Sequence, residues 1–187
     1  GQVGSHVVDE AVKRGDTVVG IDNFATGRDV HLSKSANFKF VNGSIGDTGL
    51  IDEIFDDFKP DVVVHTAAAY KDPDDWLTDV ETNVRGMVNL VNASKRNAIA
   101  RFVYFQTALI YGVKPQENPV SLSHPRRVDN SSYSISKGAA EDYLVLSGID
   151  YVTFRLANVV GPRNVSGPLP IFYQRLTEGK RCFVTPA

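Results

Sequence analysis

Five short runs rich in β-branched and aromatic residues, separated by stretches of helical periodicity, constrain this chain more than any other feature. They are Thr17-Val18-Val19-Gly20-Ile21, Phe38-Lys39-Phe40-Val41, Asp61-Val62-Val63-Val64-His65, Arg101-Phe102-Val103-Tyr104-Phe105 and Tyr151-Val152-Thr153-Phe154-Arg155. The first two are short β-rich runs, 61–65 and 101–105 read as buried strands, and 151–155 reads as one more. Between them, amphipathic stretches at 5–14, 48–58, 76–97 and 133–147 read as helices. Strand, helix, strand in repetition needs right-handed crossovers, which make the strands parallel and cover the sheet with helices. The expected fold is therefore α/β, a doubly wound and mostly parallel sheet. The sequence holds no internal repeat and no low-complexity tract.

Composition narrows the function classes. A length of 187 residues suits one domain with a sizeable core, or one domain and part of another. A net charge of −2 offers no basic field for nucleic acid or anionic lipid. No apolar run approaches the ~18 residues a membrane span needs, and no signal peptide is visible. The single cysteine, Cys182, excludes an internal disulfide framework and suits a reducing, cytoplasmic setting. His6, His31, His65 and His124 do not have metal-ligand spacing, so no metal site is expected.

The candidate chemistry lies on one helix and the strand before it. Tyr133 and Lys137 stand four residues apart, hence one turn apart on one helix face. A phenol with an ordinary pKa of about 10 is a poor base at neutral pH, and a nearby ammonium is expected to lower it. Thr107, closing the 101–105 strand region, can share a substrate proton with that phenol. The Pro- and Ser-rich stretch Val113 to Ser132 reads as a long loop lying over this centre.

A second constellation sits at the front. Gly1-Gln2-Val3-Gly4 reads as the tail of a glycine-rich turn. Gly4 would permit close helix–strand packing, and the amides of Gln2 and Val3 would face a pyrophosphate at a helix N-terminus. Asp22 follows the glycines at the spacing of about 20 residues at which a dinucleotide fold hydrogen-bonds the adenosine ribose. A carboxylate there repels a 2′-phosphate, so NAD is expected over NADP. In the strand order 3-2-1-4-5-6 the first strand is central, and the 17–21 run is the second. The first strand is expected upstream, as about ten apolar residues ending in glycines, and the chain is expected to be a piece of a longer protein. After Gly161-Pro162 the pattern changes to a short helix near 170–178 and a strand near 181–184. The expected division is a nucleotide-binding domain at 1–161 and the beginning of a smaller substrate subdomain at 162–187.

Taken in order, these motifs resemble the extended short-chain dehydrogenase/reductase family, in its NAD-dependent nucleotide-sugar epimerase/dehydratase branch. The landmarks are Gly1 to His6, Ile21 to Arg28, His65-Thr66-Ala67-Ala68, Asn83-Val84-Arg85-Gly86, Thr107 to Gly112, Tyr133 to Lys137 and Arg155 to Arg163. The likeness is strongest to enzymes of bacterial O-antigen and lipopolysaccharide sugar clusters. It implies a Rossmann-type fold and NAD as cofactor. Asp22 and Asn23 would hold the adenosine ribose, with Thr26 nearby. Ala67 and Ala68 would let the cofactor pass, and Asn83 would lie beside it. Tyr133 would be the acid/base, Lys137 would bind the nicotinamide ribose, Thr107 would hold the reacting hydroxyl, and Asn158 would bind substrate near its phosphates. At Gly43-Ser44-Ile45 the chain departs from the family, which often has Asp where Ser44 stands, so adenine recognition is expected to differ there. The resemblance also implies a homodimer seamed by the 76–97 and Tyr133 helices.

Sugar dehydratases of this branch usually follow the catalytic Thr with Asp-Glu. Here Ala108 and Leu109 stand in those places, and neither moves a proton. The implied activity is therefore epimerisation of a nucleotide-sugar at C4 through a transient keto intermediate. A 4-ketoreductase or dehydrogenase, a uronate decarboxylase and a non-catalytic NAD-binding regulator stay open as alternatives. Trp76 is open between lining a substrate cleft and packing at a helix start, Tyr111 is expected to pack, and His65 is expected to be structural or cofactor-side.

Overall fold

A computed structural model of the chain describes residues 1–128, 131–165 and 167–183. Each run expected to be extended forms a strand: β1 (Val18–Asp22), β2 (Phe38–Asn42), β3 (Val62–His65), β4 (Arg101–Thr107) and β5 (Tyr151–Leu156). The helices are α1 (Gln2–Arg14), α2 (Thr48–Phe58), α3 (Trp76–Asp79), α4 (Gly86–Arg96), α5 (Ser132–Ser147) and α6 (Pro168–Thr177). Between α3 and α4, Val80–Arg85 winds as a wider turn with i→i+5 bonds, so 76–96 is one helical run with a π segment inside it. Short polar side chains start several helices by taking an otherwise unpaired N–H. Asp47 accepts from Leu50 N–H at 3.2 Å ahead of α2, Asp75 from Thr78 N–H at 3.1 Å ahead of α3, and Ser131 from Ser134 N–H at 3.1 Å ahead of α5. The expected strand near 181–184 does not form over 181–183, and Val184 lies outside the described residues.

All strand pairings among the described residues are parallel, but they fall into two sheets. β1 pairs with β2, with Val18 opposite Phe38; β3, β4 and β5 pair in that order, with Thr107 opposite Leu156. No ladder joins β1 to β3. Between their facing edges runs a slot of about 700 Å³, walled by Val18–Asp22, Val62–His65 and the α1 residues Val7, Val8 and Ala11. This is the place that the 3-2-1-4-5-6 order assigns to a central strand.

The core lies between the three-stranded sheet and the helices α2, α4 and α5. On β4, Phe102, Tyr104 and Gln106 alternate into it. There the two aromatic rings meet Ile51 and Phe55 of α2, Met87, Leu90 and Val91 of α4, and Ala140 and Leu144 of α5. Full burial of each large apolar side chain stabilises by about 1.5–3 kcal/mol. That packing presses α5, with its Tyr-and-Lys face, against the end of β4.

Candidate functional site

Because the strands are parallel, their carboxyl ends open along one edge, where ligands bind in folds of this kind. Asp22 closes β1, Thr66-Ala67-Ala68 follow β3, Thr107 closes β4, and Asn158 follows β5 in an exposed segment. The amino end of α1 reaches the same edge, and the Gly1 amino group lies 2.8 Å from Asp22 Oδ2.

At the β4–α5 junction Thr107 and Tyr133 face each other, and the Thr107 hydroxyl is a hydrogen-bond partner of the phenol. Thr107 Oγ1 also accepts from Leu109 N–H at 3.2 Å as the chain turns through 108–111. A hydroxyl holds one proton and two lone pairs, so this bond leaves the proton free for the phenol or a substrate oxygen. Burial pushes the Tyr133 phenol upward, the Thr107 hydrogen bond pulls it down, and nearby Asp79 and Tyr70 push it up again; the net direction is up.

That direction reverses the expectation from sequence, and the reason is where the lysine points. Lys137 is buried; its Nζ donates to the Phe105 carbonyl at 2.8 Å and sits 4.2 Å from the centre of the Tyr104 ring. The ammonium is turned onto the strand backbone, and loss of solvation brings its pKa down to about 7 against the pull of Glu141. His65, at the end of β3, stacks on Tyr104 with ring centres 5.3 Å apart. Burial, aided by the Lys137 charge, lowers it to about 3, so it stays neutral in ordinary buffers.

The cofactor-side candidates gather around α1. Asp22 Oδ1 accepts from Phe24 N–H at 2.8 Å, and Asn23 Oδ1 accepts from Ala25 N–H at 3.0 Å, shaping the turn that carries Thr26. A Cβ on Gly27 would lie 2.8 Å from Asp22 Oδ2, so only glycine lets this turn close over the carboxylate. A Cβ on Gly4 would likewise lie 2.8 Å from Thr66 Oγ1, which fits the expected close packing of α1 on the loop after β3. Thr26 shares a cleft of about 70 Å³ with Gly1, Gln2 and Arg163, whose Nη2 pairs with Asp9 at 2.6 Å.

Asn83 sits in the π segment and is only 1% exposed. Its Oδ1 accepts from Ala69 N–H at 2.8 Å, and its Nδ2 donates to Ala69 C=O and to Ser136 Oγ, both at 3.0 Å. It thus ties the loop after Ala67 and Ala68 to α5. Two candidates already have partners within the chain. Ser44 Oγ is taken by Gly46 N–H at 3.1 Å, and Ile45 points into the core, leaving a carbonyl that accepts from Asn89 at 2.9 Å. Trp76 is exposed, and its indole N–H donates to Pro73 C=O at 3.1 Å. None of Thr107, Tyr133 and Lys137 lines the 700 Å³ slot, whereas the cofactor-side candidates Gly1, Gly4, Asp22, Ile45 and Ala67 do, beside Thr66.

Sequence reasoning passed over Gln106, Glu141, Arg155 and Gly27. Two of them were findable: Gln106 shares the inward strand face with Phe102 and Tyr104, and Glu141 lies two helical turns from Tyr133 on the same face.

Comparison with known proteins follows the same lines. The family model described as "NAD dependent epimerase/dehydratase family" matches residues 1–186. The chain belongs to the NAD-dependent epimerase/dehydratase family. Superposed on the Bordetella bronchiseptica enzyme WbmH in complex with NAD+, it is 65% identical with a TM-score of 0.96, covering 100% of this chain and 62% of that one. Against WbmG of the same organism, in complex with NAD and UDP, identity is 45% and the TM-score 0.92, over 98% of this chain and 58% of WbmG. A putative UDP-glucose 4-epimerase of Methanocaldococcus jannaschii is 30% identical over 96% of this chain and 61% of its own length. The chain thus spans about three fifths of the length of such relatives.

The side chains of this family member fit a dinucleotide. The first turn of α1 carries no acidic residue and no side-chain cap, so its N–H groups are open to an anion. Asp22 stands beside that turn, and Gly4 keeps the approach bare. No group of three or more His, Cys, Asp or Glu side chains among the described residues could hold a metal ion, and none of their helices is long and apolar enough to cross a membrane.

Proposed function

We propose that the whole protein, of which this chain carries the nucleotide-binding part, epimerises a UDP-hexose at C4 with tightly held NAD. The observation that carries the reading is the Thr107–Tyr133 hydroxyl pair at the β4–α5 junction, with Lys137 behind it. Ala108 and Leu109 follow Thr107 and offer no group to eliminate water, which argues against dehydration. The names of the relatives lend support, since WbmG is described with NAD and UDP and the archaeal relative as a UDP-glucose 4-epimerase.

NAD, when bound, supplies a hydride acceptor that is regenerated within the cycle. Gln2, Val3 and Gly4 would hold its pyrophosphate at the start of α1, and Asp22, Asn23 and Thr26 its adenosine ribose. Ser44 and Ile45 would pass near the adenine, with Ile45 contributing backbone. Ala67 and Ala68 leave room along the loop after β3, and Asn83 holds that loop. Tyr133 takes the proton of the sugar hydroxyl and returns it after the keto sugar has turned. Thr107 donates to the same oxygen and orients it, Lys137 binds the nicotinamide ribose after leaving the Phe105 carbonyl, and Asn158 meets the substrate near its phosphates. Residues 162–187 would begin the substrate-side subdomain.

The apolar side chains Trp76, Leu77, Val80, Ile135, Tyr143 and Leu146, all exposed on the 76–96 run and α5, support a homodimer seam along these helices. We assign the enzyme to the cytoplasm and to sugar supply for O-antigen or lipopolysaccharide by family resemblance.

The test uses the full-length protein, a panel of UDP-sugars, no added NAD, and NMR of the products. An epimer formed without net NADH, and lost in Tyr133→Phe, is the expected outcome. A decarboxylated or reduced sugar would replace this reading with one of its alternatives, and bound NAD without turnover would point to a regulator.

A further inference from the structure

We propose that Gln106 and Glu141 are positioning residues: the Gln106 amide ties the backbone of Thr107 to that of Lys137, and Glu141 holds the amide in place. The proposal rests on the catalytic reading of Thr107, Tyr133 and Lys137 given above.

Gln106 is 3% exposed, a polar side chain on the strand face otherwise given to Phe102 and Tyr104. Such a group is stable in a core only if its hydrogen bonds are made. All of them are. Oε1 accepts from Thr107 N–H at 2.8 Å, while Nε2 donates to Lys137 C=O at 2.7 Å and to Glu141 Oε2 at 3.0 Å. The orientation of the amide follows from its surroundings. Turned over, it would set its oxygen against a carbonyl and a carboxylate, and its NH2 against an N–H. The N–H of Thr107 therefore spends its bond on this side chain, and the direction in which residue 107 leaves the strand is set by it.

Glu141 keeps the amide from turning. It is 4% exposed, one helical turn beyond Lys137 on the same face of α5. Its Oε1 accepts from Arg155 Nη2 at 2.6 Å, and Arg126 Nη1 lies 3.9 Å from Oε2. Arg155 is fixed in turn by donating to Tyr111 OH at 2.9 Å, with its guanidinium 5.1 Å from the centre of that ring. The chain of contacts runs from β5 through α5 to the end of β4. Lys137 C=O has one other side-chain donor, Tyr104 OH at 3.4 Å, too long to replace the amide.

The consequence is geometric. Thr107 and Tyr133 lie on different elements, and their alignment depends on how β4 and α5 are pinned together. Displacement of a reacting group by about 1 Å costs up to about a hundredfold in rate. Gln106→Glu preserves shape but places a second carboxylate against Glu141 and the Lys137 carbonyl. The exchange Gln106→Glu with Glu141→Gln restores one amide facing one carboxylate and keeps an acceptor for Thr107 N–H and for Arg155, while giving up the bond to Lys137 C=O and the negative charge beside Arg155 and Arg126.

The test compares the full-length holoenzyme with Gln106→Leu, Gln106→Glu and the exchanged pair, reading turnover, NAD affinity and the titration of Tyr133 by NMR of 13C-labelled tyrosine. The Tyr133 signal is assigned with Tyr133→Phe. In the single variants kcat is expected to fall between about tenfold and about a hundredfold, with KM and NAD affinity within about twofold of the parent. The exchanged pair is expected to recover part of kcat. In Gln106→Leu the phenol should titrate higher, and Thr107→Val, which removes the hydroxyl that pulls it down, should shift it in the same direction. Unchanged kcat and unchanged titration overturn the proposal. So does a parallel loss of kcat, NAD affinity and thermal stability, which would mark Gln106 as a structural residue only. The titration needs no turnover, so it decides the proposal even if no UDP-sugar is epimerised.

Discussion

Replacing Asn83 by leucine should destabilise the protein by about 2–4 kcal/mol, although the side chain is of similar length and Asn83 itself is buried. The magnitude comes from what the amide leaves behind. Ala69 N–H and Ala69 C=O lose partners at 2.8 and 3.0 Å, whereas Ser136 Oγ keeps its bond to Tyr133 C=O at 2.9 Å. A buried backbone group left unpaired costs about 1–3 kcal/mol, and Ala69 is only partly buried, so water offsets some of the loss. At about 2–4 °C per kcal/mol for 150–250 residues, the change corresponds to roughly 4–16 °C in Tm. The assay is urea unfolding of parent and variant, with Ser136→Ala and the double variant to complete the cycle. Ser136→Ala alone should cost less than about 1 kcal/mol, because it removes only one of the three partners of Asn83. Asn83→Asp distinguishes bond loss from packing. It keeps an acceptor for Ala69 N–H but sets an acceptor against Ala69 C=O, so its cost should shrink as acid protonates the new carboxyl. A leucine variant within about 0.5 kcal/mol of the parent would refute the reasoning.

Other perturbations test neighbouring parts. The folded state holds His65 near 3 against an ordinary 6.5, so the unfolded chain binds the extra proton between those values; stability should fall with acid across that window, by at most about 1.4 kcal/mol per pH unit from this group. His65→Phe should flatten that slope in acid unfolding. Lys137, held near 7 against 10.5, works in the same direction at higher pH, and the cofactor-free protein should gain stability from about pH 7 to about pH 10.5, a rise that Lys137→Met should abolish. Arg155→Met should cost about 2–3 kcal/mol in urea, since it leaves the Glu141 carboxylate with Gln106 and a distant Arg126. Gly4→Ala should weaken NAD binding at least about tenfold by calorimetry, because the new Cβ meets Thr66 Oγ1, and Thr66→Ala should recover part of the loss.

The alternation of apolar runs with helical periodicity was enough to specify the elements and their parallel sense. It placed α2 at 48–58 and brought the long helix to within a residue of its observed end. Of the runs read as buried strands, however, only β4 has a neighbour on both sides among the described residues; β3 and β5 lie at the edges of their sheet and expose Val62, Val64, Tyr151 and Phe154. These signals are local: whether a run buries one face, two or a stripe is written in neighbouring residues. The motif residues were legible for the same reason, since the ends of parallel strands must share an edge once the topology is known. Other properties depended on partners distant in the chain. Nothing near Lys137 in sequence announces that Phe105 C=O would hold its ammonium, turning it from Tyr133 and leaving burial to raise the phenol. The π segment that brings Asn83 against Ala69 and Ser136 could not be read from the periodicity of 76–97, because one wider turn barely disturbs an apolar stripe. The side chain of Ile45 meets the core because α2 and α4 close around it. Gln106, a polar side chain on a buried strand face, finds its partners only where Glu141, Lys137 and Thr107 are brought to it. Patterning determines which surfaces must be buried, but hydrogen-bond partners for buried polar groups and the solvation of titratable ones exist only after the elements have packed.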